Sequence, residues 1–253
     1  MEHIRVTIED HYMHLMLDRG KTNALDLIII NELIEALDQA AQNPAIEGII
    51  ISGKQDFFSS GQDLITLYQY DELEMEQYWS RYIYLLQKLT AFPKPSVAAI
   101  TGHSPSAGCL LAMGCDFRIM TEGNYVIGLN DVAIGMIVPN SIFQIYAFWL
   151  GEAKAYQSIM KGMLYNPMEA LNIGLVDEVV PFSRIQSAAV KKLKSLTQFD
   201  QIVWRKSKIN LRKSVLLALD KSSEDDIADA LIQWWKPSTR ANLKTIIDSM
   251  VAK

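Results

Sequence analysis

Residues 100–118 read ITGHSPSAGCLLAMGCDFR. Val97 to Ile100 is a short apolar run of the kind that forms a buried strand, and it stops at Thr101-Gly102. A turn of small residues follows, Ser104-Pro105-Ser106-Ala107-Gly108, and then a short apolar segment, Cys109 to Met113, of no more than two helical turns. Cys115-Asp116 ends that helix, and Phe117 to Met120 begins another strand. A small-residue turn at a helix start leaves backbone N–H groups unpaired near the positive end of the helix dipole. Such a turn suits a phosphate, a carboxylate or an oxyanion. The same small residues would also serve a tight strand-to-helix turn whose only role is close packing.

Working outward towards the N-terminus, Phe57-Phe58-Ser59-Ser60-Gly61-Gln62-Asp63-Leu64 forms a second small-residue loop after a strand. That strand, Ile46 to Ser52, is continuously apolar, as in sheets buried on both faces. Before it, Asp26 is a plausible N-cap for a helix carrying Ile30, Leu33, Ile34, Leu37 and Ala41 on one face, closed by Asn43-Pro44. His3 to Glu9 and Tyr12 to Leu17 alternate around Asp10-His11, which predicts a hairpin with His3, His11 and His14 at its surface. After the second loop, residues 71–91 predict a long amphipathic helix whose Met75, Tyr78, Trp79, Tyr82 and Leu86 form a packing face.

Working towards the C-terminus, Tyr125 to Gly128 predicts a short strand, and Asp131 to Pro139 is apolar apart from its acid. Helices are expected over Gly151–Met160 and, shorter, from Pro167 to Leu171, before Gly174-Leu175-Val176-Asp177-Glu178-Val179-Val180. Beyond Pro181 the chain turns helical, with apolar positions that include Leu193, Ile202, Val203, Trp204, Leu219, Trp234 and Trp235. The order is α/β for about 180 residues followed by an all-helical tail.

The 253 residues fit one large domain, and a composition 49% hydrophobic and 21% charged supports a substantial core. A net charge of −5 with no long basic run argues against a nucleic-acid partner. Cys109 and Cys115 lie in apolar surroundings at a spacing that is not a metal motif, which suits reduced thiols and predicts no metal site. No apolar run reaches bilayer length, and the start leads directly into strand-like sequence; both features predict a soluble, cytoplasmic protein without a membrane partner. Nucleophile-elbow, dinucleotide and P-loop signatures are not found.

If a sheet brings the two loops together, each could present one N–H to the same carbonyl oxygen, making an oxyanion hole for an enolate or tetrahedral intermediate. Asp131 is the candidate base, since burial on an apolar segment would raise its pKa towards neutrality. A capping or surface role is the plainer reading of a lone aspartate.

These residues carry a resemblance. Phe58 to Leu64 is similar to the F-x-[AS]-G-x-D-[LI] loop of the enoyl-CoA hydratase/isomerase (crotonase) superfamily, and Gly102 to Arg118 resembles its second oxyanion loop and C-D-x-R element. Arg19 to Leu25 resembles the family's loop ending in N-A-L, and Glu169 to Val180 its A-x-x-x-G-L-V-D-x-V-V stretch. The resemblance covers nearly the whole chain. It implies a spiral of ββα turns over residues 1–190, a helical region over 191–253 that forms a homotrimer (or a hexamer of paired trimers), and an acyl-CoA thioester substrate. Coenzyme A would enter as part of that substrate, with no separate cofactor.

Within the superfamily the chain most resembles Δ3,Δ2-enoyl-CoA isomerases. Pro105 to Leu110 is similar to their P-A-G-G-C-L, Ile127 to Asn130 followed by an acid to I-G-L-N-E, and Gly135 to Pro139 to G-I-V-A-P. Hydratases place glutamates where this chain has Leu110 and Asp131, so one of the two water-activating carboxylates is missing here. The resemblance implies that the amides of Gln62 and Ala107 are oxyanion donors and that Asp131 is the base. It places Lys21, Thr22, Ala24, Ser60, Asp63 and Leu64 along coenzyme A, Gly108 at the start of the helix whose dipole faces the thioester oxygen, and Leu110 against the acyl C2–C3 region. Two departures stand out. The isomerase base is a glutamate, and Asp131 withdraws the carboxylate by roughly 1 Å, a misplacement that can cost about a hundredfold in rate. Ala107 stands where the oxyanion loop usually has glycine. A dienoyl-CoA isomerase, hydratase, hydrolase or decarboxylase of the same fold, or a non-catalytic acyl-CoA-binding protein, remain as alternatives.

Overall fold

The structure is a computed structural model that describes residues 1–220 and 224–251. The chain opens with the expected hairpin, β1 (Ile4–Glu9) and β2 (Tyr12–Leu17), paired antiparallel around Asp10 and His11, both at positive φ. Helix α1 (Leu27–Gln42) starts where Asp26 accepts from the amides of Ile28 and Ile29, which satisfies two of the free donors of its first turn. Next come β3 (Gly48–Ser52), the short β4 (Asp56–Phe57), α2 (Leu64–Leu67) and α3 (Glu72–Thr90). Asp71 and Glu74 form a reciprocal capping box at the start of α3. The pattern repeats with β5 (Ser96–Ile100), β6 (Gly102–Pro105) and α4 (Ala107–Gly114), and again with β7 (Phe117–Thr121), β8 (Ile127–Gly128) and α5 (Asn140–Leu150). Then follow α6 (Glu152–Met160), β9 (Leu164–Tyr165), α7 (Pro167–Ile173) and β10 (Glu178–Val180). The tail comprises α8 (Phe182–Thr197), α9 (Gln201–Leu211), α10 (Lys213–Asp220), α11 (Glu224–Trp235) and α12 (Pro237–Val251).

Each repeat sends its long strand to one sheet and its short strand to another. The large sheet runs β1-β2-β3-β5-β7-β10, parallel except for the hairpin, and the small one β4-β6-β8-β9. This is the ββα spiral that the resemblance implied. Ile49, Ile50 and Ile51 of β3 are fully buried, and each contributes roughly 1.5–3 kcal/mol of apolar burial.

Three expectations need correction. His14 is buried, because α8 lies across the face of β2 that strand alternation assigned to solvent; Gln186 of α8 hydrogen-bonds its Nδ1. Tyr12, Ile50, Val97, Ala99 and Ile119 form a second core beneath Ile185, Ala189 and Leu193 of α8. Part of the expected turn, Gly102–Pro105, is strand, and α4 begins two residues before Cys109. Helix α5 was not anticipated at all. Among the described residues no helix is long and apolar enough to cross a membrane.

Candidate active site

The small sheet brings the two loops together. β4 pairs parallel with β6, setting Phe57 beside His103, and the His103 carbonyl accepts from the amides of both Phe58 and Ser59. Two glycines make the approach possible. A Cβ on Gly61 (φ +91°) would lie 2.9 Å from the Pro105 oxygen and 3.4 Å from the Ala107 nitrogen. One on Gly108 would lie 2.6 Å from the Ser59 oxygen. Side chains at either position would force the loops apart. Among the described residues, neither the Gln62 amide nor the Ala107 amide donates to a protein group, whereas the neighbouring amides of Ser60, Gly61, Asp63 and Ser106 all do.

A third loop locks the pair. Asn23, at φ +52°, donates through Nδ2 to the carbonyls of Phe57 and Phe58, and Ser59 Oγ donates to the Asn23 carbonyl. Arg19 joins Asp26 and Asp63, each at 2.7 Å. Asp63 also accepts from the Thr66 amide and hydroxyl, so both of its oxygens are engaged. Burial raises the Asp63 pKa, but the Thr66 and Arg19 hydrogen bonds outweigh it and hold the carboxyl below its usual value. Ser60 bonds to Thr22 through both main chain and side chain. Lys21 is exposed, Ala24 half-buried and Leu64 buried at the start of α2.

Beneath the loops lies a narrow cavity of about 10 Å³. Gln62, Ala107, Leu110 and Asp131 all line it, and so do Trp79, Tyr82 and Ser106. Asp131 sits at the start of a single 3₁₀ turn, Val132–Ile134, which closes at Gly135 with φ +87°. Its Oδ1 accepts from Ser106 Oγ at 2.9 Å, and its Oδ2 is enclosed without a partner. Desolvation raises the Asp131 pKa above the ordinary carboxylate value, partly opposed by the Ser106 hydrogen bond. A buried carboxylate with one bare oxygen is suited to accept a proton.

Ser106, Trp79 and Tyr82 were not anticipated as site residues. Tyr82 donates to the Ala107 carbonyl at 2.9 Å, and the Trp79 indole N–H is buried without a partner. Helical spacing assigns both residues to a packing face, because it does not tell a core wall from a cavity wall.

The family model for enoyl-CoA hydratase/isomerase matches residues 8–230. The chain belongs to the enoyl-CoA hydratase/isomerase family. It is 30% identical over 233 residues to the mouse mitochondrial enoyl-CoA delta isomerase 1, covering 91% of this chain and 81% of that protein. The crystal structure of human mitochondrial Δ3,Δ2-enoyl-CoA isomerase superposes with a TM-score of 0.94 at 25% identity, covering 99% of this chain and 98% of that one. An enoyl-CoA hydratase from Mycobacterium ulcerans superposes with a TM-score of 0.83 at 25% identity, covering 92% and 99%. The fold is that of the crotonase superfamily, and the chain is an enzyme of this family.

Proposed function

We propose that this enzyme is a Δ3,Δ2-enoyl-CoA isomerase that uses one carboxylate as a proton shuttle. The observation that carries the reading is Asp131: it lines the same cavity as Gln62, Ala107 and Leu110, has one oxygen bare, and is the one carboxylate in that lining. Asp131 Oδ2 takes a proton from C2 of a 3-enoyl thioester. The electron pair delocalises onto the thioester oxygen, where the Gln62 and Ala107 amides stabilise the enolate. The proton then returns at C4 and the double bond moves from C3–C4 to C2–C3. Atoms and electrons balance without a co-reactant. Leu110, 4% exposed, supplies an apolar wall where hydration would need a second carboxylate.

The substrate is an acyl-CoA thioester, with Lys21, Thr22, Ala24, Ser60, Asp63 and Leu64 along coenzyme A and Gly108 beside the thioester. No separate cofactor takes part. The assembly is a homotrimer, itself able to pair into a hexamer. Ile202, Val203 and Leu211 on α9, with Phe199 before it, are 60–75% exposed and supply an apolar face for the subunit contact. Trp234 is buried in its own chain and has no surface to offer a partner. The two enclosed thiols suit a reducing compartment such as the cytoplasm.

Incubation of the enzyme with 3-enoyl-CoA and separately with 2-enoyl-CoA, with products identified by mass, tests the reaction. Isomerisation should dominate and disappear in Asp131→Asn; hydration as fast as isomerisation would overturn the assignment. Sedimentation near 28.6 kDa at micromolar concentration would overturn the trimer.

A further inference from the structure

Ser106 occupies the N-cap position of α4, where a serine side chain ordinarily accepts from the helix's first amides. Here it makes no such bond. Its backbone stands at φ +49°, ψ −124°, a positive-φ conformation that strains a non-glycine residue. The main chain is held there by the Ser106 amide donating to the Gly128 carbonyl, and by the Ser106 carbonyl accepting from the Leu110 amide. The side chain instead reaches across 25 positions of sequence to Asp131 Oδ1, 2.9 Å away.

The bond joins two departures from the motifs that this chain resembles. Ser106 stands where P-A-G-G-C-L has alanine, and Asp131 stands where I-G-L-N-E has its acid. The shortened acid and the added hydroxyl are in contact with each other.

We propose that Ser106 is the positioning residue for the base, occupying Oδ1 of Asp131 so that Oδ2 alone carries the proton between C2 and C4. The inference rests on the isomerase reading above. The hydroxyl suits both halves of the cycle: it donates to Oδ1 when Asp131 is ionised, and still donates when Oδ2 is protonated and Oδ1 is a carbonyl oxygen. The carboxyl need not turn while it holds the proton. The bond is stronger in the charged state, which offsets part of the cost of burying the carboxylate. Ser106 also immediately precedes Ala107, so the torsions that aim its hydroxyl at the base also set the direction of the Ala107 N–H. One residue thereby registers the base against an oxyanion donor.

The test is a cycle of Ser106→Ala and Ser106→Gly, each in the Asp131 and Asp131→Glu backgrounds. Alanine removes the hydroxyl and keeps the strain; glycine removes both. With Asp131 present, both variants should lower kcat by about 10–100-fold with KM within about threefold. The acid limb of kcat/KM against pH should move upward. With Asp131→Glu, Ser106→Ala should cost less than about threefold, since the longer side chain no longer depends on the hydroxyl for placement. Equal losses in both backgrounds, or a Ser106→Ala enzyme with kcat within twofold and an unmoved acid limb, would overturn the inference. A readout independent of turnover separates its failure from that of the isomerase reading. The pH dependence of the stability difference between Asp131 and Asp131→Asn reports the folded pKa of the carboxyl, and Ser106→Ala should raise that pKa. No rise would overturn the Ser106 assignment whether or not the enzyme isomerises; no turnover of 3-enoyl-CoA by wild type would overturn the isomerase reading by itself.

Discussion

Asp116 offers a sharp test of how the helical tail is held to the spiral. Its Oδ2 accepts from the Ser96 amide, the Ser96 hydroxyl and the Lys208 ammonium, all at 2.9 Å, and its Oδ1 lies 3.1 Å from Arg212. All four of these residues are at most 7% exposed. The two cations are not equally dependent on the acid. Arg212 also donates to the carbonyls of Thr90, Gly114 and Cys115, whereas Lys208 has Asp116 as its one hydrogen-bond partner among the described residues. Desolvation pushes the Lys208 pKa down to about 8, against the pull of Asp116.

That value limits what Asp116→Ala can cost through Lys208. Once the counter-ion is gone, the lysine escapes by losing its proton, and the stabilisation forfeited at pH 7 is the gap between 8 and 7, roughly 1–2 kcal/mol. The Ser96 amide, left buried without an acceptor, adds roughly 1–3 kcal/mol, and the thinner compensation of Arg212 adds about 1 kcal/mol. The total is about 3–6 kcal/mol, or roughly 6–24 °C in Tm for a chain of this size. Lys208→Met keeps the buried stem and leaves Asp116 with Ser96 and Arg212, so it should cost only about 1–2 kcal/mol. Urea unfolding at fixed protein concentration, followed by tryptophan fluorescence and circular dichroism, measures both. The reasoning fails if Asp116→Ala costs less than about 1 kcal/mol, or if Lys208→Met costs as much as Asp116→Ala.

Other expectations are quicker to check. On the proposed mechanism the ionised form of Asp131 is the active one, and burial raises its pKa above 3.8, so kcat/KM should fall on an acid limb lying above 3.8, read from a pH profile with 3-enoyl-CoA. By the same sign, the folded state binds more protons than the unfolded one between 3.8 and the raised value; the charge therefore costs stability at neutral pH, and Asp131→Asn should abolish turnover without lowering Tm. Leu110→Glu would bury a second carboxylate in the lining of the Asp131 cavity; it should raise the pair's apparent pKa, lower isomerisation and move the acid limb upward, and an unchanged profile would place residue 110 outside the reacting region. Cys109 and Cys115 are buried, with Cys115 pushed up to about 12, so a thiol reagent should label neither in native protein and both after unfolding.

The ββα order was legible where local rules and tertiary structure agree. Asp26 and Asp71 announce helices by capping, β3 announces burial by three successive isoleucines, and the hairpin announces itself by alternation. Helix α5 was not legible for the converse reason. Its sequence, NSIFQIYAFWL, is apolar nearly all round, rich in aromatic and β-branched residues, and capped by no side chain. It is helical because α4, α6 and α10 pack around it, which no window of its own sequence contains. His14 was misread the same way: alternation reports the pleat, but whether α8 lies over a face is decided by residues some 170 positions away.

The motifs show where sequence reading stops. Asp116 and Arg118 of the C-D-x-R element and Asp177 of the G-L-V-D stretch, which carry part of the resemblance, are structural. Arg118 is fully buried, stacked 3.6 Å over the Trp149 ring and bonded to Leu175 and Asp177, while Asp116 anchors α9. The two motifs are thus halves of one fastening, separated by 59 positions, that closes the spiral between β7 and the segment entering β10. The groups able to do chemistry carry much weaker signals. An amide has no side-chain signature, and Gln62 and Ala107 stand out only because Gly61 and Gly108 let their loops meet. In Ser104-Pro105-Ser106, both serines are buried and both hydroxyls could serve the turn. Only the backbone at φ +49° turns one of them away from the helix and towards Asp131, and the main chain is held there by hydrogen bonds to Gly128 and Leu110, outside the tripeptide. A site assembled from main-chain direction is written in contacts between distant segments, so it becomes readable only once the small sheet has set β4 beside β6 and β6 beside β8.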